Sequence, residues 1–131
     1  MTLSEVLRPK ANALTLKASR LSIVLVDTAS PPGLALLLSG DLDTDSSGMF
    51  QFFAVESLQE MKPPSTLIID LSAVSYISST GVGSLATILS ETKRRSIKLS
   101  LCGIPKHVWN IIDLLGFTSF FSFIDSYKAC P

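Results

Sequence analysis

The residues with the most chemical promise stand in a row. Ser78, Ser79, Thr80 and Gly81 put three hydroxyls and a glycine between two apolar runs. A hydroxyl just ahead of a helix accepts hydrogen bonds from the free N–H groups of the first turn. One such cap suffices, so the neighbouring hydroxyls are surplus to it. A hydroxyl at a helix N-terminus also lies where an added phosphate is favoured by those N–H groups and by the helix dipole. Capping and phosphate acceptance therefore share one geometry. Ser78 is the best cap, Ser79 the candidate acceptor and Thr80 a first-turn residue, while Gly81 and Gly83 allow close approach.

Other chemistry-bearing groups are sparse. Asp41, Asp43 and Asp45 fall in "SGDLDTDSSG", just past a strand end and before a helix. Helix capping and the dipole account best for Asp45, with Asp45 or Ser46 as the cap, and leave Asp43 less well explained. "GVGSLA", Gly81 to Ala86, matches G-x-G-x-x-A, but about ten residues separate it from the preceding apolar run. A dinucleotide site needs that motif directly after a strand, and an acid at the end of the next one, which here ends in Leu101, Cys102 and Gly103. "SETK", Ser90 to Lys93, lies late in a helix and reads as an exposed polar end. His107 is the one histidine, so a Ser-His-Asp site would have to use it. A zinc pair and a phosphate-binding loop with lysine are both missing. Enzymatic readings find little support, and no cofactor is expected.

The elements that must position these residues are legible from periodicity. "RLSIVLVDTA" (20–29) and "LALLLSG" (34–40) read as two strands joined by the turn "SPPG", an antiparallel hairpin. A helix follows from Thr44, with Met49, Phe52, Phe53 and Leu58 at helical spacing, and Pro63 and Pro64 end it. "TLIIDLS" (66–72) is a short apolar run of the kind covered on both faces. Val82, Leu85, Ala86 and Leu89 form one helical stripe, as do Val108, Ile111, Ile112 and Leu115 in "PKHVWNIIDLLG". "SIKLSLCG" (96–103) and "FFSFID" (120–125) complete the strands. The order β-β-α-β-α-β-α-β implies crossovers and a mixed, mainly parallel sheet flanked by helices, an α/β fold. Residues 1–20 read as an N-terminal arm or short helix, and 21–131 as one domain.

Composition narrows the partners. Of 131 residues, 47% are hydrophobic and 17% charged, the balance of a folded core rather than a disordered chain. A net charge of zero gives no electrostatic support for nucleic acid. No apolar run approaches bilayer length, so direct membrane insertion is not expected. Cys102 reads as a small core residue and Cys130 as part of a frayed end. Together with the lack of a signal-like N-terminus they point to a reducing cytoplasm.

"LIIDLSAVSYISSTGVGSL" resembles the signature segment of the STAS domain, the fold of bacterial anti-sigma-factor antagonists. In that family a strand ending in Asp-Leu-Ser is followed by an apolar pair and then Asp-Ser-Ser-Gly or Asp-Ser-Thr-Gly. Asp70-Leu71-Ser72, Tyr76-Ile77 and Ser79-Thr80-Gly81 match, and Ser78 stands where the family has the acid. "LSGDLD" (38–43) resembles the family's Gly-acid-Leu-Asp loop. The segment from Leu99 to Ser126 resembles its closing strand, helix and strand. The resemblance implies a binding protein rather than an enzyme. Its partner would be a serine-kinase anti-sigma factor that binds ATP and phosphorylates Ser79, with a serine phosphatase reversing the step. Asp41, Asp43, Ser78, Thr80, Gly81 and Gly83 would line the contact. The alternative is a STAS scaffold, or a small subunit of a lipid ABC transporter or signalling complex, with no phosphoserine cycle.

Overall fold

Leu21, Ile23 and Leu25 are buried and alternate with Ser22, Val24 and Val26, the two-residue period of a strand with one face on a core. The computed structural model describes residues 1–17 and 20–131. Its elements run α1 (Leu3–Lys17), β1 (Leu21–Ser30), β2 (Pro32–Leu42), α2 (Thr44–Gln59), β3 (Thr66–Ile77), α3 (Ser79–Arg94), β4 (Lys98–Cys102), α4 (Lys106–Leu114), β5 (Ser122–Ile124) and β6 (Lys128–Ala129). The sheet order is β5-β4-β3-β2-β1-β6. The β1–β2 hairpin is antiparallel, β2, β3, β4 and β5 pair in parallel, and β6 returns antiparallel to β1. The α/β fold with a mixed, mainly parallel sheet stands as expected.

All four helices contribute to one core on one face of the sheet. Leu7 and Leu14 of α1, Phe50 and Leu58 of α2, Val82 and Leu85 of α3, and Val108 and Ile112 of α4 meet Leu34, Leu36, Leu67, Ile69, Leu99 and Leu101. The opposite face holds a separate small cluster, Ala35, Ile68 and Cys102, packed by Val26, Leu37, Ile124 and Tyr127. The central run of β3 is thus covered on both faces. Helices cover one face, and the chain's own C-terminal segment covers the other.

That segment constrains the sheet's shape. β5 and β6 lie at opposite edges, five interstrand spacings apart, which a flat sheet would stretch to about 24 Å. Only four residue steps join Ile124 to Lys128, and they reach at most about 14 Å. The sheet therefore curls, and residues 125–127 cross inside the curl on the face without helices.

Several expectations change. Of the two alternatives for the N-terminal stretch, arm or short helix, residues 3–17 take the helix, 15 residues long, while residues 18 and 19 of that stretch lie outside the described residues. Pro9 and the polar residues hide its stripe of Ser4, Leu7, Ala11 and Leu14, all buried against the core. The Asp27 carboxylate accepts from the Ser4 amide at 3.0 Å and fastens the start of α1 to β1. β3 runs on to Ile77, five residues beyond the expected end at Ser72, because a register shift opposite Leu37 and Ser39 breaks its alternation. β2 likewise continues to Leu42 rather than stopping at Gly40. The last strand shrinks to Ser122–Ile124, and β6, only two residues long, is new. Cys102 is buried as expected. Cys130 is exposed, but its amide donates to the Asp27 carbonyl at 2.8 Å, so its backbone is held rather than frayed.

Leu7 is fully buried and Val6 is 38% exposed. Leu7→Ala is expected to cost about 2–5 kcal/mol, and Val6→Ala less than about 0.5 kcal/mol. Chemical denaturation of the two variants measures the difference, which would vanish if α1 were an unpacked arm.

Candidate functional site

β2 and β3 pair in parallel as far as Leu42 and Ile77. Their chains leave the sheet at the same level and start α2 and α3 side by side. The Ser78 amide donates to the Leu42 carbonyl at 3.0 Å, one residue past the last strand pair. Two helix N-termini therefore stand together at this edge, each with free N–H groups and the positive end of a dipole.

Ser78 caps α3. Its hydroxyl accepts from the Gly81 amide at 3.1 Å. Ser78 Oγ also lies 2.7 Å from Thr80 Oγ1, which lies 3.1 Å from Thr44 Oγ1 of α2. A chain of three hydroxyls thus ties one helix start to the other. Deeper in, the buried Ser84 hydroxyl donates to the Ser47 carbonyl at 3.1 Å, a second tie between the helices. Ser79 opens α3 and is exposed. No side-chain hydrogen bond engages it among the described residues. Beside it a shallow groove between α2 and α3 is lined by small and polar residues, including Ser47, Gly48, Gln51, Gly83 and Ser84.

The acids sort differently from expectation. Asp43, not Asp45 or Ser46, is the cap of α2. Its carboxylate accepts from the Asp45 and Ser46 amides, both at 3.0 Å, and the Ser46 hydroxyl accepts from the Asp43 amide in return. The Ser46 amide, followed by the Ser46 hydroxyl and the Asp45 amide, holds the Asp43 carboxyl below the ordinary aspartate range against a burial penalty. Asp41 is not past the strand end. It lies within β2, paired with Tyr76 of β3, and its carbonyl accepts from the Ser46 hydroxyl at 2.8 Å. The expected cluster of Asp43, Ser78, Ser79, Thr80 and Gly81 does come together at this edge. Asp41 stands on the strand behind it, and Gly83 lies along the groove.

The two glycines differ. A Cβ on Gly81 would lie 2.6 Å from the Leu42 carbonyl oxygen, so the close start of α3 against β2 needs a residue without one. A Cβ on Gly83 would meet nothing within 4 Å. Gly83 therefore permits no close approach, contrary to expectation, and keeps the groove open instead.

The G-x-G-x-x-A match does follow a strand closely after all, since β3 ends at Ile77. The lack of an acid at the end of β4 still counts against a dinucleotide there. Thr44 and Gly48 were missed by sequence reasoning, and Ser46, expected as an alternative cap, is instead the reciprocal partner of the Asp43 cap. The Asp43-to-Ser46 spacing was the available signal for the capping box, masked by the early end assigned to β2. His107 is exposed in the first turn of α4. β3 continues seven residues past its last pairing with β4, at Asp70 and Cys102, which carries the hydroxyl cluster roughly 20 Å of strand beyond the end of β4.

The STAS domain family model matches residues 23–130. No curated protein matches the chain at a significant level. Among solved structures, the anti-sigma factor antagonist from Mycobacterium paratuberculosis aligns with TM-score 0.61 at 22% identity, covering 81% of this chain and 86% of that one. The anti-sigma factor antagonist SpoIIAA in its unphosphorylated form aligns with TM-score 0.60 at 15% identity, over 80% and 89%. The murine anion transporter Solute Carrier 26 family member A9 aligns with TM-score 0.62 at 17% identity, over 88% of this chain and 22% of the transporter. These likenesses are of fold. Among the described residues no helix is long and apolar enough to cross a membrane.

Gly81→Ala is expected to destabilise by about 1–3 kcal/mol through overpacking, and Gly83→Ala to stabilise by up to about 1 kcal/mol through helix propensity; thermal melts read both. Asp43→Ala should cost about 1 kcal/mol, and Asp43→Asn, which still caps, much less. Because the folded Asp43 value is lowered, its contribution is complete above the unfolded value of about 3.9 and is lost as the pH falls through the folded value. Acid titration of stability should therefore be shallower for Asp43→Asn than for the parent chain.

Proposed function

The chain belongs to the STAS domain family, and from that premise we propose that it is an antagonist-type regulatory binding protein whose switch is phosphorylation of Ser79. The partner is a serine-kinase anti-sigma factor that supplies ATP and catalysis, and a serine phosphatase resets the site. The chain itself contributes an acceptor and a surface. One observation carries the choice of acceptor. Of the three adjacent hydroxyls, Ser78 is committed to the cap and Thr80 to the bridge, while Ser79 is exposed and uncommitted.

Phosphate on Ser79 would add about −1.5 to −2 charges at an edge that already carries Asp43. The first turn of α3 holds no acid, so its amides and dipole favour that charge within the chain. A partner packed against the edge would instead meet a new, strongly hydrated anion. Releasing it a hundredfold requires only about 2.8 kcal/mol, which one interfacial phosphate can supply without a change of fold. Asp41, Asp43, Ser78, Thr80, Gly81 and Gly83 frame the surface the partner would read.

A second reading, a STAS scaffold or transporter subunit with no phosphoserine cycle, is favoured by Ser78. That position holds a neutral cap in place of the family's acid.

Mass spectrometry after incubation with ATP and the serine-kinase anti-sigma factor of the same genome separates the two readings. The expected result is one phosphate, on Ser79, absent from Ser79→Ala, with roughly hundredfold weaker binding afterwards and in Ser79→Asp. Phosphate on another residue overturns the acceptor assignment. Tight binding with no phosphate anywhere supports the scaffold.

A further inference from the structure

The face of the sheet that carries no helix has an occupant of its own. The Tyr127 ring packs on Ala35, Ile68 and Cys102, which are 0%, 0% and 5% exposed. Its hydroxyl donates to Asp70 Oδ2 at 2.8 Å. The other carboxylate oxygen, Oδ1, is held independently by the Ser72 amide at 2.9 Å and the Ser72 hydroxyl at 2.6 Å. Asp70 is therefore oriented by its own strand, and Oδ2 faces Tyr127 as a preset acceptor. Ser100 pairs in register with Ile68 and shares the face of β4 that carries Cys102. It is 1% exposed, and its hydroxyl has no partner among the described residues. An apolar floor of Ala35, Ile68 and Cys102, an orphan hydroxyl and a fixed carboxylate make a slot that takes an aromatic ring with a donor at its end.

Little holds the segment that fills this slot. Asp125, Ser126, Lys128, Ala129 and Cys130 are exposed, and Tyr127 is the one partly buried side chain among them. β6 spans two residues, with a register shift on β1, the Cys130 amide adds one bond to the Asp27 carbonyl, and the Cys102 thiol makes a long contact with the Asp125 carbonyl at 3.7 Å. Segments with so few buried contacts open at a fraction of the free energy of the core.

We propose that residues 125–130 form a detachable strap whose Tyr127 fills an aromatic-accepting site on the open sheet face, and that this site, once the strap leaves, takes a small aromatic hydrogen-bond donor of the phenol class. The Asp70 carboxylate is its acceptor, Ala35, Ile68 and Cys102 its floor, and the strap its built-in competitor. The site is independent of the Ser79 edge.

Cys102 reports the strap's state, since it lies beneath it. In a Cys130→Ser background, which removes the exposed thiol, Tyr127→Ala is expected to raise the alkylation rate of Cys102 by iodoacetamide about tenfold or more. Millimolar p-cresol should return that rate toward the parent's and raise the melting temperature of Tyr127→Ala but not of the parent. Cys102 reacting as slowly in Tyr127→Ala as in the parent, or p-cresol without effect on either readout, overturns the proposal. Hydrogen exchange on the unaltered chain keeps the test open should the variant fail to fold. The amides of 128–130 should exchange about a hundredfold faster than those of Ile68 and Ile69 and faster still with p-cresol. Equal protection of strap and core overturns the strap.

Discussion

The parallel pairing of β2 with β3 is the constraint on which the site rests. Parallel neighbours need a crossover, here α2, and both strands then discharge their chains at one edge. The register from Gly33–Thr66 to Leu42–Ile77 brings them to that edge together, and the Leu42 carbonyl to Ser78 amide bond closes the pairing. Two helix starts cannot be placed so close without satisfying their free amides and reconciling two positive dipole ends. The chain solves the two ends differently. α2 takes a carboxylate, Asp43, with a reciprocal bond to Ser46, and α3 takes the neutral hydroxyl of Ser78. Gly81 follows from the same constraint, since α3 begins against the Leu42 carbonyl with no room for a side chain.

The neutral cap matters for the proposed switch. A carboxylate at position 78 would satisfy the same amide but would place a fixed negative charge beside the acceptor. With serine there, the first turn of α3 keeps its full attraction for an anion, and Asp43 is the carboxylate that caps the neighbouring helix. The hydroxyl chain from Ser78 through Thr80 to Thr44 does the mechanical work of joining the two helix starts without charge. What Ser78 gives up is a group that a partner could read, which is why a scaffold stays a live reading beside the switch.

Much of this was legible in the chain because local signals and tertiary demands agreed. The stripe from Val82 to Leu89, the apolar run around Ile68 and the hydroxyls at 78–80 each point to the element they form. The failures have specific causes. Ending β2 at Gly40 moved the expected cap of α2 from Asp43 to Asp45 or Ser46. A register shift in β3 broke the alternation after Ser72 and hid five residues of strand. α1 has weak helical credentials, with Pro9 inside it, and owes its place to burial of Leu7, Ala11 and Leu14. β6 is too short to carry any periodic signal. Gly81 and Gly83 are the same residue two positions apart, and on a helix that separation turns them to roughly opposite sides. Only one of them can face Leu42, and a single sequence does not say which.

β3 is common to both proposed surfaces, yet it supports them at different depths. Its first half, Thr66 to Asp70, is paired on both sides by β2 and β4. Its second half has β2 alone and carries Ser78 and Ser79 out to the edge. The edge is nevertheless firm, because Ser84 donates to the Ser47 carbonyl from a buried position and binds α2 to α3 behind the exposed hydroxyls. The strap is tied to this face by the Tyr127 hydroxyl on Asp70 and by the long contact of the Cys102 thiol with the Asp125 carbonyl at 3.7 Å. Loss of the strap would leave the pairing of β3 with β2 and β4 in place, since neither pairing involves residues 125–130. Asp27 is where the strap does reach further. Its carboxylate holds the start of α1 while its carbonyl holds Cys130, so freeing the strap removes one restraint from the strand that also seats the N-terminal helix.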